Sequence, residues 1–176
     1  MAAVAGGVLT FVIVGQQDQP IYEVDLTGPK EVRGASARRR ARRRRAAALT
    51  RSRARALARR PPRAAAAQQQ TQYLHQFVLH ASLDAVDEAM WASKELHLKT
   101  VDRFNNLFVS AYVTPGGARL LLLHDGRGDD AIRAFFAEVA ELHLRVMLNP
   151  FHGPATRITS KPFDQKVKAL AKRMLG

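Results

Sequence analysis

The chain has 176 residues, 47% of them hydrophobic, and a formal net charge of +13 at pH 7. This length suits one domain with a modest core. Because the sequence contains no cysteine, disulfides, thiolate metal sites and a cysteine nucleophile are excluded.

The first predicted elements form a β-hairpin. Leu9–Val14 is a short apolar run that ends at Gly15, and Ile21–Leu26 alternates apolar with acidic residues. The five-residue connection between them closes at Pro20. The first run is not typical of a secretory signal, because no basic residue precedes it and a polar turn follows. No run approaches the roughly 18 apolar residues of a membrane span, so we expect a soluble protein.

Almost all of the positive charge lies in one segment. Lys30–Arg63 contains fifteen Lys or Arg and one acid, whereas thirteen of the 28 basic and fourteen of the 15 acidic residues lie elsewhere. Residues 30–72 include no aromatic side chain and few large aliphatic ones, too little apolar surface to offset the entropy of ordering. We therefore predict a single domain over residues 8–176, interrupted by a disordered Arg/Ala-rich insertion at 30–72.

The basic segment supports a second hypothesis, a nucleic-acid-binding protein that neutralises phosphates through its arginines. However, no aromatic residues are interleaved for base stacking, and no groove-reading motif adjoins the segment. An anionic membrane surface fits the charge equally well. An Ala/Arg-rich segment is also what retained GC-rich non-coding sequence would encode. Such an artefact, or a loop expansion without function, is our preferred interpretation.

An amphipathic helix is predicted from Tyr73 to Trp91, with Phe77 and Val78 on its buried face. Leu98–Phe104 is ambiguous and is assigned as a short strand. A second hairpin joins Leu107–Thr114 to Arg119–His124 through a Pro-Gly-Gly turn.

Two helices complete the predicted order. The first begins near Asp129 or Asp130, one of which we expect to cap it, and it ends at Asn149–Pro150. The second is capped by Ser160 and carries the basic run Lys166–Arg173, a possible contact with membranes. Sequential hairpins followed by helices predict an α+β fold built on an antiparallel sheet.

Catalytic and metal-binding patterns are weak. The histidines show no metal-ligand spacing, since His75 and His80 are five residues apart and point in different directions on a helix. The run His124–Asp130 gathers three carboxylates and two glycines, but it matches neither a P-loop nor an EF-hand. A turn leading into a helix is the simpler interpretation. Asn149-Pro150-Phe151 resembles a short adaptor-binding peptide, although we expect Phe151 to pack into the core.

The polar side of the first long helix supplies the candidate partner-binding residues. His80 and Asp84 lie on it, and an acid at Asp84 must be either exposed or partnered. A solvated helix face is the equal alternative. Trp91, at the end of the helix, could anchor a partner, with core packing as the preferred interpretation.

Outside the insertion, five segments in chain order resemble the sedlin family, subunit 2 of the trafficking protein particle (TRAPP) vesicle-tethering complex. They are FVIVGQQDQPIYEVDL (Phe11–Leu26), QFVLHASLDAVDEAMW (Gln76–Trp91), LKTVDRFNNLFVSAYVT (Leu98–Thr114), LLHDGRGDDAIRAFF (Leu122–Phe136) and NPF with FDQKV (Asn149–Val167). In place of residues 30–72, members of that family have only a short polar loop.

The resemblance implies a longin-like (SNARE-like) fold: a five-stranded antiparallel sheet with one helix on one face and two on the other. It makes Leu98–Phe104 the third strand. It implies no catalytic activity and no cofactor. It also implies an adaptor that joins other TRAPP subunits in an exchange-factor assembly for a Rab-type GTPase. Such an assembly works in the cytoplasm, peripheral to the membranes of ER-to-Golgi transport.

Overall fold

The computed structural model describes residues 7–27, 63–153 and 155–176. The chain divides into two compact units, one formed by Met1–Gly28 with His75–Gly176 and the other by Pro29–Leu74. Residues 30–62 of the predicted insertion lie outside the described residues. The disorder predicted for them, and nucleic-acid binding by their arginines, stay predictions.

The first long helix begins earlier than the sequence predicted. It starts at Arg63 rather than Tyr73, so residues 63–72 are helical. The prediction was wrong there because it considered only how little apolar surface this segment can bury. Alanine and glutamine favour a helix by intrinsic propensity, and Pro61–Pro62 directly precedes it.

Five strands form one antiparallel sheet in the order β2-β1-β5-β4-β3. The strands are β1 (Leu9–Val14), β2 (Pro20–Asp25), β3 (His97–Phe104), β4 (Leu107–Val113) and β5 (Arg119–His124). The helices are α1 (Arg63–Ala81), α2 (Leu83–Ala92), α3 (Asp129–Met147) and α4 (Lys161–Met174). The predicted α+β fold is confirmed, including the ambiguous third strand.

The sheet is covered on both faces, which explains the leucine run of its central strand. Leu120 and Leu122 belong to the core beneath α3 and α4, whereas Leu121 and Leu123 belong to the core beneath α1 and α2. Successive side chains of a strand point to opposite faces, so a strand buried on both reads as continuously apolar. In β1, Phe11 and Val12 alternate in the same way.

From His75 onward, α1 continues into α2 with little interruption at Ser82. The amide N–H of Ser82 donates to the carbonyl of Val78, and the N–H of Val86 donates to the carbonyl of Ser82, both at 3.0 Å. The buried Ser82 hydroxyl also donates to the carbonyl of Leu79 at 2.9 Å. Residues on either side of Ser82 therefore keep the helical spacing relative to one another.

The core beneath α3 and α4 is rich in aromatic residues. The rings of Phe11 and Phe135 meet edge to face at 5.3 Å, and those of Tyr22 and Phe163 at 4.9 Å. The Tyr22 hydroxyl donates to Asp164 Oδ1 at 3.0 Å, which fixes the start of α4 against β2. These contacts join both hairpin strands to the C-terminal helices.

Two local predictions near α3 and α4 were wrong, and a third was confirmed in position only. The N-cap of α3 is Gly128, and Asp129 instead pairs with His97 Nε2 at 3.0 Å. Ser160 occupies the N-cap of α4 as predicted, but its side chain makes no capping hydrogen bond. Phe151 is 95% exposed rather than in the core, because Asn149 turns the chain outward by accepting the N–H of Phe151 at 3.1 Å. Among the helices of the described ranges, none combines the length and hydropathy that a membrane span requires.

Candidate partner-binding surface

Five side chains form a stripe along the solvent side of α1 and α2, which we call the outer stripe: Phe77, His80, Asp84, Glu88 and Trp91. Phe77, Asp84 and Trp91 are spaced by seven residues. Seven residues are nearly two turns of helix, so the three share one face, with the aromatic residues about 21 Å apart. The opposite side of the same helices is buried on the sheet.

The aromatic ends of the outer stripe are open to solvent. Trp91 is 86% exposed and Phe77 is 68% exposed. The prediction of core packing was wrong for both residues. Beneath them the sheet accepts Val78, Leu83 and Val86, which leaves no buried position for the aromatic side chains. Large aromatic side chains that remain in water are the usual anchors of protein interfaces.

The middle of the outer stripe is acidic. His80 and Asp84 are both exposed, as predicted, and Glu88 extends the polar part by one turn. Within the described part of the chain, neither Asp84 nor Glu88 forms an ion pair. Both carboxylates are therefore available to a basic group on another molecule. Whether His80, Asp84 and Trp91 bind a partner stays a prediction.

A cavity of about 280 Å³ lies beside the outer stripe, between α1 and the β1–β2 hairpin. His80 and Leu83 line its helical wall, and Asp18 and Glu23 line its opposite wall. Glu23 accepts a hydrogen bond of 2.7 Å from Gln76 Nε2, which joins α1 to the edge strand β2. The arrangement could receive a small side chain of a partner that docks on the outer stripe.

Arg119 fixes α2 to the sheet. Its Nε lies 3.0 Å from Asp87 Oδ1, and its Nη1 pairs with Asp18 in the turn between β1 and β2. The side chain of Arg119 is largely buried while both carboxylates are partly exposed. These two ion pairs connect α2 and the β1–β2 turn to strand β5 beneath the outer stripe.

His124 organises the turn that the sequence analysis considered as a phosphate or metal site. Its Nδ1 accepts the N–H groups of Gly126 and Arg127 at 3.2 and 3.1 Å, and its Nε2 then donates to the buried Ser110 hydroxyl at 3.0 Å. Burial lowers the pKa of His124 below its ordinary value of 6.5. In the described ranges no cluster of three or more His, Asp or Glu is placed to hold a metal ion. The run acts as a turn, as predicted.

Comparison with known proteins gives consistent matches. A family model described as Sedlin matches residues 56–173. The chain is 43% identical over 103 residues to the transport protein particle 20 kDa subunit of Schizosaccharomyces pombe, a match that covers 58% of this chain and 76% of that protein. It is 32% identical over 166 residues to the probable trafficking protein particle complex subunit 2 of Drosophila melanogaster, covering 94% and 95%. The corresponding Caenorhabditis elegans protein is 30% identical over 167 residues with the same coverage.

Proposed function

Because the chain belongs to the Sedlin family, we propose that it is a non-enzymatic adaptor subunit of a trafficking protein particle complex. Its relatives carry the names of such subunits in fungi and animals. We further propose that the assembly acts as a nucleotide exchange factor for a Rab-type GTPase. Such an assembly would lie on the cytoplasmic side of the membranes of ER-to-Golgi transport.

We assign the contact with a neighbouring subunit to the outer stripe. The observation that supports this most is the exposure of Trp91 and Phe77 at the two ends of one helical face. Exposed apolar surface of this kind marks interaction sites when it is rimmed by polar groups. Here Asp84 and Glu88 lie between the two aromatic residues. We therefore expect the partner to present a basic group opposite Asp84. On either side of that group, about two helical turns away, it should present an apolar surface.

The test is reconstitution of the complex from purified subunits with an Asp84→Lys variant. Reversing the charge places two like charges opposite each other at the contact, so we expect binding to the partner to weaken at least tenfold. Affinity is measured by titration of the full chain against the remaining subunits. The free energy of unfolding should change by less than about 0.5 kcal/mol, since Asp84 is exposed and forms no ion pair with another described residue.

A matched control is Glu138→Lys, the same class of charge reversal at an exposed position of α3. It should leave the affinity unchanged. If Asp84→Lys binds as tightly as the unmodified chain, the outer stripe is not the contact. If the unmodified chain does not associate with the other subunits at all, the adaptor function itself is wrong.

The rival function, nucleic-acid binding by residues 30–63, rests on the concentration of arginine in that segment. It predicts binding to RNA or DNA that weakens steeply with salt and disappears when residues 30–63 are deleted. Binding that persists after the deletion, or no binding at all, would exclude it. The deletion variant should assemble with other subunits as the full chain does, because the outer stripe is retained.

A further inference from the structure

A second cavity, of about 480 Å³, opens on the opposite side of the sheet from the outer stripe. Its walls are the β1–β2 turn, the β4–β5 turn and the second half of α3. Most of the side chains that line it are apolar, among them Ile21, Tyr112, Ala140, Leu144 and Met147. The volume is within the range of pockets that hold small ligands.

The mouth of the cavity is preformed. Gln16 Nε2 donates to the carbonyl of Gly116 at 2.9 Å, which joins the two turns across the opening. The Thr114 hydroxyl exchanges two hydrogen bonds of 3.0 Å with the backbone of Ala118 and so fixes the β4–β5 turn. A ligand would find these walls already in place, which reduces the entropy lost on binding.

A buried nitrogen in the wall lacks a hydrogen-bond partner among the described residues. His143 is only 6% exposed, and its Nε2 is buried without such a partner. Burial lowers the pKa of His143, and the neighbouring His152 lowers it further, which favours the neutral imidazole. An unpaired buried nitrogen costs about 1–3 kcal/mol. Since Nε2 has almost no accessible surface, a ligand group would remove this cost after a small movement of the His143 ring.

The charges around the cavity narrow the class of ligand. Glu141 is the charged residue among those that line it, and its carboxylate is already paired with Arg145 at 2.5 Å. An ionised ligand would lose its hydration without gaining an opposite charge. A purely apolar ligand would leave His143 unsatisfied. The remaining class is a neutral group with an apolar body and one hydroxyl or N–H, as in tyrosine or tryptophan.

The surface next to the mouth indicates a protein as the source of that group. Leu144 lines the cavity and is more than half exposed, and Leu148 and Phe151 follow it along the chain, both largely exposed. Such neighbouring apolar residues form the kind of patch that another protein covers. We propose that this cavity binds an aromatic side chain carrying one hydroxyl or N–H group, such as tyrosine, presented by a neighbouring subunit. That the partner is a subunit of the complex rests on the proposed function. The ability of the cavity to bind such a group does not.

The cavity is tested first on the isolated full chain with p-cresol, the side chain of tyrosine, and toluene, which lacks the hydroxyl. In an NMR titration of the labelled protein, p-cresol should shift amides of the lining residues and bind roughly three- to tenfold more tightly than toluene. In His143→Phe this preference should fall below about twofold, because the ring keeps its shape and loses its nitrogens. Equal affinities in the unmodified chain, or no shifts in the lining, would overturn the proposal.

Filling the cavity supplies the second test. Ala140→Phe should abolish the binding of both probes, while Ala134→Phe, at an exposed position of α3 outside the cavity, should leave it unchanged. If Ala140→Phe does not fold, Ala137→Phe at the edge of the cavity replaces it. Probe binding that survives the filling would place the site elsewhere.

The partner is tested in the reconstituted complex. Ala140→Phe should weaken the affinity for one subunit at least tenfold, because the aromatic anchor has no pocket to enter. An unchanged affinity, with p-cresol still bound by the unmodified chain, would overturn the assignment to a partner side chain. Failure of the unmodified chain to assemble would count against the proposed function and leave the probe titrations unaffected.

Discussion

The two helical layers of the sheet place their aromatic residues in opposite ways. Beneath α3 and α4 the core contains Phe11, Phe135 and Phe136, each fully buried. Beneath α1 and α2 the core is made of valine, leucine and alanine, and the aromatic residues Phe77 and Trp91 are on the outside. Aromatic burial supplies a large share of folding energy, while exposed aromatic residues supply interfaces. We therefore expect the aromatic core beneath α3 and α4 to contribute more to stability, whereas the exposed aromatic residues of α1 and α2 belong to the proposed contact at the outer stripe.

Helices α2 and α4 also differ in charge. Helix α2 carries three acids and no Lys or Arg, whereas α4 carries five basic residues and one acid. The overall charge of +13 hides this difference, because it comes from the segment 30–63. Partners of α2 and of α4 should accordingly differ in the sign of their charge.

The largest expected effect is on stability. Phe135→Ala should lower the free energy of unfolding by about 3–5 kcal/mol, because it leaves a cavity among packed rings. Val86→Ala, at an equally buried position beneath α2, should cost roughly 2 kcal/mol. Urea denaturation of both variants measures the difference. If Val86→Ala costs as much as Phe135→Ala, the two layers contribute equally and the comparison fails.

The next effect is on binding. Trp91→Ala should change the free energy of unfolding by less than about 0.5 kcal/mol, since the side chain is exposed. It should weaken association with the partner by at least about 2 kcal/mol, which is roughly thirtyfold in Kd. Isothermal titration with the reconstituted partner checks this. Phe104→Ala, a partly exposed aromatic residue on β3, is the control and should bind normally.

The sequence predicted the sheet well because its signals are local. The leucines of β5 and the alternation in β2 give the strands, and the two turns give the hairpins. The start of α1 was misplaced because helix propensity and burial disagree in residues 63–72. Propensity determined the observed helix.

The exposed aromatic residues were missed for a different reason. Phe77 and Val78 are adjacent and both apolar, so periodicity alone assigns both to the core. Only one can meet the sheet, and the smaller side chain fits beneath α1. The ion pair between Arg119 and Asp18 beneath the outer stripe could not be predicted either, since the two residues are 101 positions apart. Contacts between distant residues leave no periodic trace in one sequence.

A third prediction concerns pH. Burial lowers the pKa of His75, beneath the α1–α2 layer, and of His124 and His143 on the other face. The unfolded chain then binds protons more readily than the folded one, so stability is complete above about pH 6.5 and falls as the pH decreases below it. Thermal unfolding between pH 7 and pH 5 should show a falling Tm. Asp164 does not interfere, because the hydrogen bond from Lys168 lowers its pKa and its contribution is lost only at more acidic pH.

A variant of one histidine measures how much of this pH dependence of Tm comes from the α3–α4 side. His143→Leu removes a titrating group and an unpaired nitrogen from the α3–α4 side, so the slope of Tm against pH should become shallower. At pH 7 the variant should be at least as stable as the unmodified chain, because no hydrogen bond of Nε2 is lost. A slope equal to that of the unmodified chain would mean that His143 does not contribute.

The smallest expected effect is that of an exposed ion pair on the α3–α4 layer. Glu141 and Arg145 are four residues apart on α3 and both are more than half exposed. Solvent screens such pairs, so Glu141→Gln should cost only about 0.3–0.5 kcal/mol. The loss should disappear in 1 M salt, where the Debye length is about 3 Å. A larger loss that persists in salt would show that the hydrogen bond from Arg145 to Glu141, rather than the screened charge, stabilises the wall of the neighbouring cavity, and the α3–α4 surface would then share the structural role of its core.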